Sequence, residues 1–366
     1  MVVVTLVLVM IGVTMVHSAS TVLSGIRFHD NFFYVKKQWL FASLGIILMF
    51  VFARLDYRNL QRVAGLLFLL SLVFLVLVLI PHIGQVRGGS RAWLGIGAFG
   101  VQPSEFAKFS LIVYLSAWFA RYPMRIQSLV KGFLPLLLIT GVTLMLIILE
   151  PDLGQSTVIG MTIMVMLYFA GARHRHMGSL VLLGLGAFVG LIMMAPYRLS
   201  RIVAFLNPWQ YPDTIGYHII MSLIALGRGG LFGVGLFHST QKFSYLPEPQ
   251  TDFIFAIITE ELGMVGAVFV LVLFLFLLYR GMLIAMRSID RFGMLLAAGL
   301  TTVIAVQVII NVGVVTSLMP VTGITLPFIS YGASFFPSLI RYATDALSIV
   351  IHRLHITLRS KKIRHN

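Results

Sequence analysis

Apolar residues run through this chain in blocks long enough to cross a bilayer, punctuated by short polar or basic segments. A hydrocarbon core about 30 Å thick requires about 20 mostly apolar residues per helical span. On that scale about ten spans are predicted, near 1–16, 38–53, 63–80, 105–119, 132–149, 155–170, 179–195, 252–279, 293–315 and 321–350. The first run ends in Ser18, Ala19 and Ser20 without a convincing cleavage site, so it reads as a short helix and not as a signal peptide. One long polar interruption, 196–251, exceeds a passive connection between helices, and its 217–226 run has the pattern of an amphipathic interfacial helix. The expected fold is all-α and polytopic, a single domain over 1–366, with this large loop between the seventh and eighth helices.

Composition removes the soluble alternatives: 59% of residues are hydrophobic and 11% charged, with a mean hydropathy of +0.98. Cysteine is absent, which excludes disulfides, thiol nucleophiles and cysteine metal sites. The net charge of +15 is sorted by loop. Arg54, Arg58, Arg62, Arg121, Arg125, Lys131, Arg173, Arg175, Arg280, Arg287, Arg291 and the basic tail from Arg353 to Arg364 fall on one side. By the positive-inside rule that side is cytoplasmic, and both termini lie there. The charge therefore reads as topology and contact with anionic membrane lipids. Nucleic-acid binding would need a basic face on a soluble module, and none is visible. Acids sort the other way: Asp30, Glu105, Glu150, Asp152, Asp213, Glu248 and Asp252 lie at outer loops or outer helix ends, which places any chemistry outside.

Candidate chemistry follows from residues at these boundaries. Asp252 closes the run Tyr245-Leu-Pro-Glu-Pro-Gln-Thr-Asp252 at the mouth of a long apolar helix. A helix N-terminus favours any acid by about 0.3–1 kcal/mol, but an ionisable group at a membrane boundary is a functional candidate. Glu105 and Lys108 are one turn apart in Gln102-Pro-Ser-Glu-Phe-Ala-Lys108, and a local ion pair there is worth about 0.2–0.5 kcal/mol. Lys108 lies inside an apolar helix, where a cation needs a partner or a ligand. Asp152 and Gln155 have capping-box spacing, and capping is the better explanation of Asp152. Arg87 and Arg91 flank glycines beside Trp93, a set suited to phosphate and equally to lipid headgroups. The run from Gly227 to Gly235 is either a turn with an interfacial anchor or a ligand loop, and no Gly-Lys-Ser/Thr closes it as a nucleotide loop. Glu260 and Glu261 sit two turns into a span, and Gln307 and Asn311 suit hydrogen bonds to neighbouring helices. His174 and His176 lack zinc-site spacing.

These segments, taken in order with Met15-Val-His-Ser-Ala-Ser20, Gly89-Ser-Arg-Ala-Trp93, Glu150-Pro-Asp-Leu-Gly154, Ala195-Pro-Tyr-Arg198, Asn207-Pro-Trp209, Glu260-Glu-Leu-Gly263 and Pro320-Val-Thr-Gly-Ile-Thr-Leu-Pro-Phe-Ile-Ser-Tyr-Gly332, resemble the SEDS family of peptidoglycan polymerases across nearly the whole chain. The resemblance is nearest the FtsW/SpoVE division and sporulation branch, with the RodA branch as alternative. One departure is the ending Ser330-Tyr-Gly-Ala-Ser-Phe335 where the family has Ser-Tyr-Gly-Gly-Ser-Ser. The resemblance implies a glycosyltransferase of the bacterial plasma membrane, facing outward at the septum or wall. Its implied substrate is lipid II, its by-product undecaprenyl pyrophosphate and its partner a class B penicillin-binding protein. Asp252 is the implied base, with Arg91, Glu105, Lys108, Asp152, Arg198, Lys242 and Glu248 as substrate-binding residues. The sequence fixes no metal; Mg2+ or Mn2+ on the pyrophosphate is compatible with it. The rival reading is a lipid II flippase, favoured by Glu260 and Glu261 as a proton relay and disfavoured by the absence of paired broken segments in matching halves. A scaffold that only recruits the partner leaves Asp252 and Lys108 unexplained.

Overall fold

The computed structural model describes residues 1–87, 90–96, 99–243 and 246–331. The elements are α1 (Val2–Phe28), α2 (Phe33–Phe52), α3 (Arg58–Leu79), β1 (Gly84–Arg87), β2 (Ser90–Ile96), β3 (Phe99–Val101), α4 (Pro103–Arg121), α5 (Leu134–Leu149), α6 (Leu153–Ala170), α7 (His174–Met193), α8 (Pro196–Leu206), α9 (Tyr217–Gly229), α10 (Ile254–Arg287) and α11 (Arg291–Val315). Among the described residues eight helices are long and apolar enough to cross a membrane: α1, α2, α3, α5 with the turn before it, α6, α7, α10 and α11. Helix α4 has comparable length, 19 residues, but carries Glu105 and Lys108 in its first two turns. Local signals set the boundaries. Proline opens α4 and α8, where a missing N–H costs nothing. The side chains of Asp152 and Asp290 cap α6 and α11. Gly171, at φ 82°, ends α6 in the left-handed region.

Helix α11 is the hub, packed against α4, α6 and α10. The arginine-rich turns meet at one end of the bundle, where the Tyr57 hydroxyl donates to Asp290 and Arg291 donates to the Ala170 carbonyl at 2.9 Å. Residues 102, 152, 252 and 311 gather at the other end. Helix α7 stands apart, with no buried residue.

Three expectations change. Helix α1 runs on to Phe28 instead of stopping near 16, because Ser18, Ser20 and Ser24 face inward and are buried. The fold is not purely helical: β1, β2 and β3 form an antiparallel three-stranded sheet between α3 and α4. The segment 321–331, expected to open a tenth span, is irregular. Gly323 at φ 76° and Pro327 interrupt any helix there, and the chain instead bonds back to Gln250 and Thr251. The rest of that span, the basic tail and the atypical Ala333-Ser-Phe335 ending lie outside the described residues. The helix expected at 217–226 is α9, with Ile219, Ile220, Ser222 and Ala225 buried where it meets α10 and α11.

Helix α10 is broken. Gly263 has φ 71° and ψ −173°, and there the helix is invaded by the glycine loop that follows α9. Val234 and Gly235 donate to the carbonyls of Glu260 and Glu261 at 3.0 Å, while Met264 and Val265 donate to Gly230 and Leu231 at 2.9 and 3.2 Å. A Cβ on Gly229, Gly233 or Gly263 would collide with backbone, so these glycines are a steric requirement of the joint. Unbroken, the 34 residues of α10 would reach about 51 Å, yet Asn311, about 30 Å along α11 from Arg291, hydrogen-bonds Asp252. The break therefore takes Ile254–Leu262 off the line of the rest of α10.

Candidate active site

Three helix N-termini converge where α4, α6 and α10 begin. The Asp152 carboxylate accepts from the Gln155 backbone N–H at 3.0 Å and from Gln102 Nε2 at 3.2 Å, tying the start of α6 to the start of α4. Gln155 Nε2 donates to Glu105 Oε1 at 2.8 Å, and Lys108 Nζ donates to the same oxygen at 2.8 Å. Glu105 and Lys108 are 5% and 4% exposed, so this ion pair is far from the solvated surface pair that sequence spacing alone suggests.

Asp252 precedes α10 by two residues and is fixed through its backbone. Asn311 Nδ2 donates to the Asp252 carbonyl at 2.8 Å and to the Ile324 carbonyl at 2.7 Å. Ser330 Oγ donates to Thr251 O at 2.7 Å, and the Tyr331 N–H to Gln250 O at 2.8 Å. Gly323 faces the Asp252 carboxylate: a Cβ there would stand 3.7 Å from Oδ2. Its neighbour Thr322 presses its carbonyl against Gly154. The 322–324 turn therefore lies between Asp252 and the start of α6. Arg201, from α8, donates to the Val321 carbonyl at 3.2 Å, and His218, from α9, stacks on Phe253 with ring centres 5.9 Å apart.

Burial raises the Asp252 carboxyl to about 7; the Glu248 charge adds to this and Arg201 opposes it. Asp152 is raised to about 6 by burial, opposed by its cap bond to Gln155 and by the Lys108 charge. Glu150 is pushed to about 9 by burial and by Asp152, and both of its carboxyl oxygens are buried without a hydrogen-bond partner. Burial and the Arg201 charge lower His218. The site thus holds two carboxyls that titrate near neutrality under a common cation, a setting suited to proton transfer.

Of the sequence candidates, Asp252, Asp152, Glu105 and Lys108 fall at this end of the bundle. Glu248 borders it, 3.8 Å from exposed Arg27 and accepting from Gln250. Arg198 turns toward the Leu191 carbonyl and the Tyr197 hydroxyl. Arg91 lies on β2 beside Gly84. Lys242 belongs to a second cluster, with Nζ 2.6 Å from Phe237 O, 3.2 Å from Ser18 Oγ and 3.4 Å from Glu261. Arg201, His218 and the 321–324 turn escaped sequence reasoning. Arg201 follows Arg198 by one turn on an amphipathic helix, which was the available signal. Among the described residues no three His, Asp or Glu side chains are grouped to hold a metal ion.

The second cluster is structural in its chemistry. Glu260 accepts from Ser239 Oγ, Thr240 N and Thr240 Oγ1, the last two at 3.1 Å. Glu261 accepts from Phe237 N at 3.1 Å, Ser239 N at 3.2 Å and Ser18 Oγ at 2.5 Å. Both carboxylates are spent on clasping the loop to α10.

The family model for the FtsW, RodA and SpoVE proteins, described as "Cell cycle protein", matches residues 1–354. The chain belongs to that family. Stage V sporulation protein E of Bacillus subtilis is 51% identical over 91% of this chain and 91% of its own length. A probable peptidoglycan glycosyltransferase FtsW of Coxiella burnetii is 43% identical over 90% of each. Among solved structures, a chain from "Structural coordination of polymerization and crosslinking by a peptidoglycan synthase complex" superposes with TM-score 0.76 at 28% identity, over 97% of both chains. Rod shape determining protein RodA of Thermus thermophilus superposes with TM-score 0.68 at 27% identity, over 96% of this chain and 95% of its own. The FtsW/RodA/SpoVE fold therefore extends over the whole site.

Proposed function

We propose that Asp252 is the general base of a lipid II polymerase. The chain is a peptidoglycan glycosyltransferase of the FtsW/RodA/SpoVE family, a multi-pass membrane protein. The observation that carries the residue assignment is the Asp252 carboxyl, raised to about 7, held beside the Asp152, Glu105 and Lys108 network and under Arg201. Joining an α-linked donor through a β-1,4 bond inverts the anomeric carbon in one displacement. The acceptor 4-hydroxyl oxygen attacks that carbon, its proton passes to Asp252, and the bond to pyrophosphate breaks with its electron pair on the leaving undecaprenyl pyrophosphate. The leaving group gathers negative charge. Lys108, Arg201 and the N-termini of α4 and α6 supply the opposing field.

Glu105 keeps Lys108 neutralised until an anion arrives, and Asp152 holds α6 against α4. Arg91, on β2, and Arg198, on α8, are the further cations proposed for more distant phosphate or sugar groups. Among the described residues no three His, Asp or Glu side chains are grouped to hold a metal ion, and no step here depends on Mg2+ or Mn2+. The positive-inside rule favours a cytoplasmic arginine-rich end and an outward-facing site, and the septum or the growing wall is the place where such a polymerase would act. A class B penicillin-binding protein fits as the partner that crosslinks the strands; the neighbour from a peptidoglycan synthase complex supports it. The flippase reading loses its motive, because Glu260 and Glu261 are consumed by loop contacts.

The test is Asp252→Asn, purified in detergent and supplied with lipid II. Polymerisation is expected to vanish while the thermal unfolding profile stays that of the parent. Parent-level glycan synthesis by the variant rules Asp252 out as base.

A further inference from the structure

The glycine loop after α9 has no role in the chemistry above, and its composition is unusual. From Gly229 to Phe237 it carries neither a charge nor a polar side chain. Its large side chains point outward: Leu231 is 66% exposed, Phe232 81%, Leu236 45% and Phe237 46%. A run of this kind in water leaves much of its apolar surface hydrated, against the usual economy of a loop. Its backbone is nonetheless well satisfied. Gly233 donates to Gly229 at 2.7 Å, Val234 and Gly235 donate to α10, Phe237 donates to Glu261, and the carbonyls of Gly230 and Leu231 accept from α10. Irregular backbone at membrane depth is tolerated when its polar groups are paired in this way.

The loop is also continuous with the exposed apolar face of α10, a helix long and apolar enough to cross a membrane. Met264 and Val265, its hydrogen-bond partners, open the lipid-facing stripe of a membrane-spanning helix. That stripe continues through Val268, Phe269 and Val272, all about half exposed.

We propose that Gly230–Phe237 is a re-entrant hairpin embedded in the lipid of the leaflet on the site side. It is locked to α10 at the Gly263 break, and so anchors Ile254–Leu262, the segment that follows Asp252, at a fixed depth. The proposal rests on the membrane-spanning character of α10 and stands whether or not Asp252 is the base.

The absence of native cysteine makes the test direct. Phe232→Cys, Val268→Cys and Asp213→Cys are each spin-labelled in the full chain, reconstituted alone into liposomes, and probed by collision with oxygen and with a water-soluble nickel chelate. Phe232 is mostly exposed, so the change leaves packing intact. The expected result is a Phe232→Cys label that resembles Val268→Cys, accessible to oxygen and shielded from nickel. Nickel accessibility like that of Asp213→Cys would place the hairpin in water and overturn the proposal. Shielding from both probes would mean that protein covers it, a second copy of the chain, and would overturn it equally.

Discussion

The side-chain amide of Asn311 holds the backbone carbonyl of Asp252 at 2.8 Å and, with the same nitrogen, that of Ile324 at 2.7 Å. One buried donor therefore joins the end of α11, the segment that carries the proposed base and the turn that faces it. Asn311→Asp preserves shape but replaces the donor with an acceptor beside two carbonyls. Stability is expected to fall by about 1–3 kcal/mol, the cost of stranded buried polar groups, and polymerisation to fall further than stability explains. Thermal unfolding alongside initial rates checks this; an active, parent-stable Asn311→Asp would show that the tether is dispensable.

The pH dependence has two signed controls. Asp252 accepts a proton only when ionised, so kcat/KM should rise with pH through about 7 and level off above it. Arg201→Ala removes the cation that opposes the rise in that carboxyl's pKa, so the ascending limb moves to higher pH. Glu248→Gln removes a like charge and moves the limb to lower pH. Rate profiles across pH 5–9 (roughly two units about the carboxyl) distinguish these shifts. Movement of both variants in one direction would contradict the charge arrangement.

Glu150 presents a different case, an acid raised to about 9 with both oxygens buried and unpartnered. It is neutral at physiological pH, and Glu150→Gln exchanges one uncharged group for another of similar size. The expected change in stability is below about 1 kcal/mol. Asp152→Ala, by contrast, removes the α6 cap and the bridge to Gln102, at about 0.5–2 kcal/mol for the cap alone. A Glu150→Gln variant that loses more stability than Asp152→Ala would mean that Glu150 is charged.

Lys242 and Glu261 are 6% and 1% exposed and lie 3.4 Å apart. Removing either charge leaves the other buried, at about 3–5 kcal/mol, while Lys242→Met combined with Glu261→Gln should recover much of the loss. A double-mutant cycle on unfolding free energy measures the coupling. Additive losses would show that the pair contributes no mutual stabilisation.

The spans were legible because bilayer thickness imposes one length on every helix, and most predicted runs overlap an observed helix. The limits were misjudged where polarity hid inside: Ser18 stopped the hydropathy of α1 yet donates to Glu261 within the bundle. The sheet between α3 and α4 went unseen because its strands are short and rich in glycine, and glycine argues for a turn as readily as for a strand. At the site, Asp252, Lys108 and Glu105 were visible as charges out of place in apolar surroundings. Arg201 was not, since an arginine on an amphipathic helix is ordinary, and only the folded turn at Val321 gives it a destination. Glu260 and Glu261 looked like a proton relay for the same reason that Lys108 looked functional: sequence shows a buried charge but not the donors that satisfy it.

The joint at Gly263 separates two mechanical duties within one helix. Bilayers differ in thickness, and a spanning helix accommodates the mismatch chiefly by tilting. In a straight rod, every degree of tilt would swing a group at its tip sideways. Here the clasping loop bonds both sides of Gly263, and Ile254–Leu262, held to α1, α9 and that loop, leaves the line of the segment below. The lever between the lipid-facing segment and the Asp252 carboxylate is thereby shortened from the whole helix to the residues above the joint.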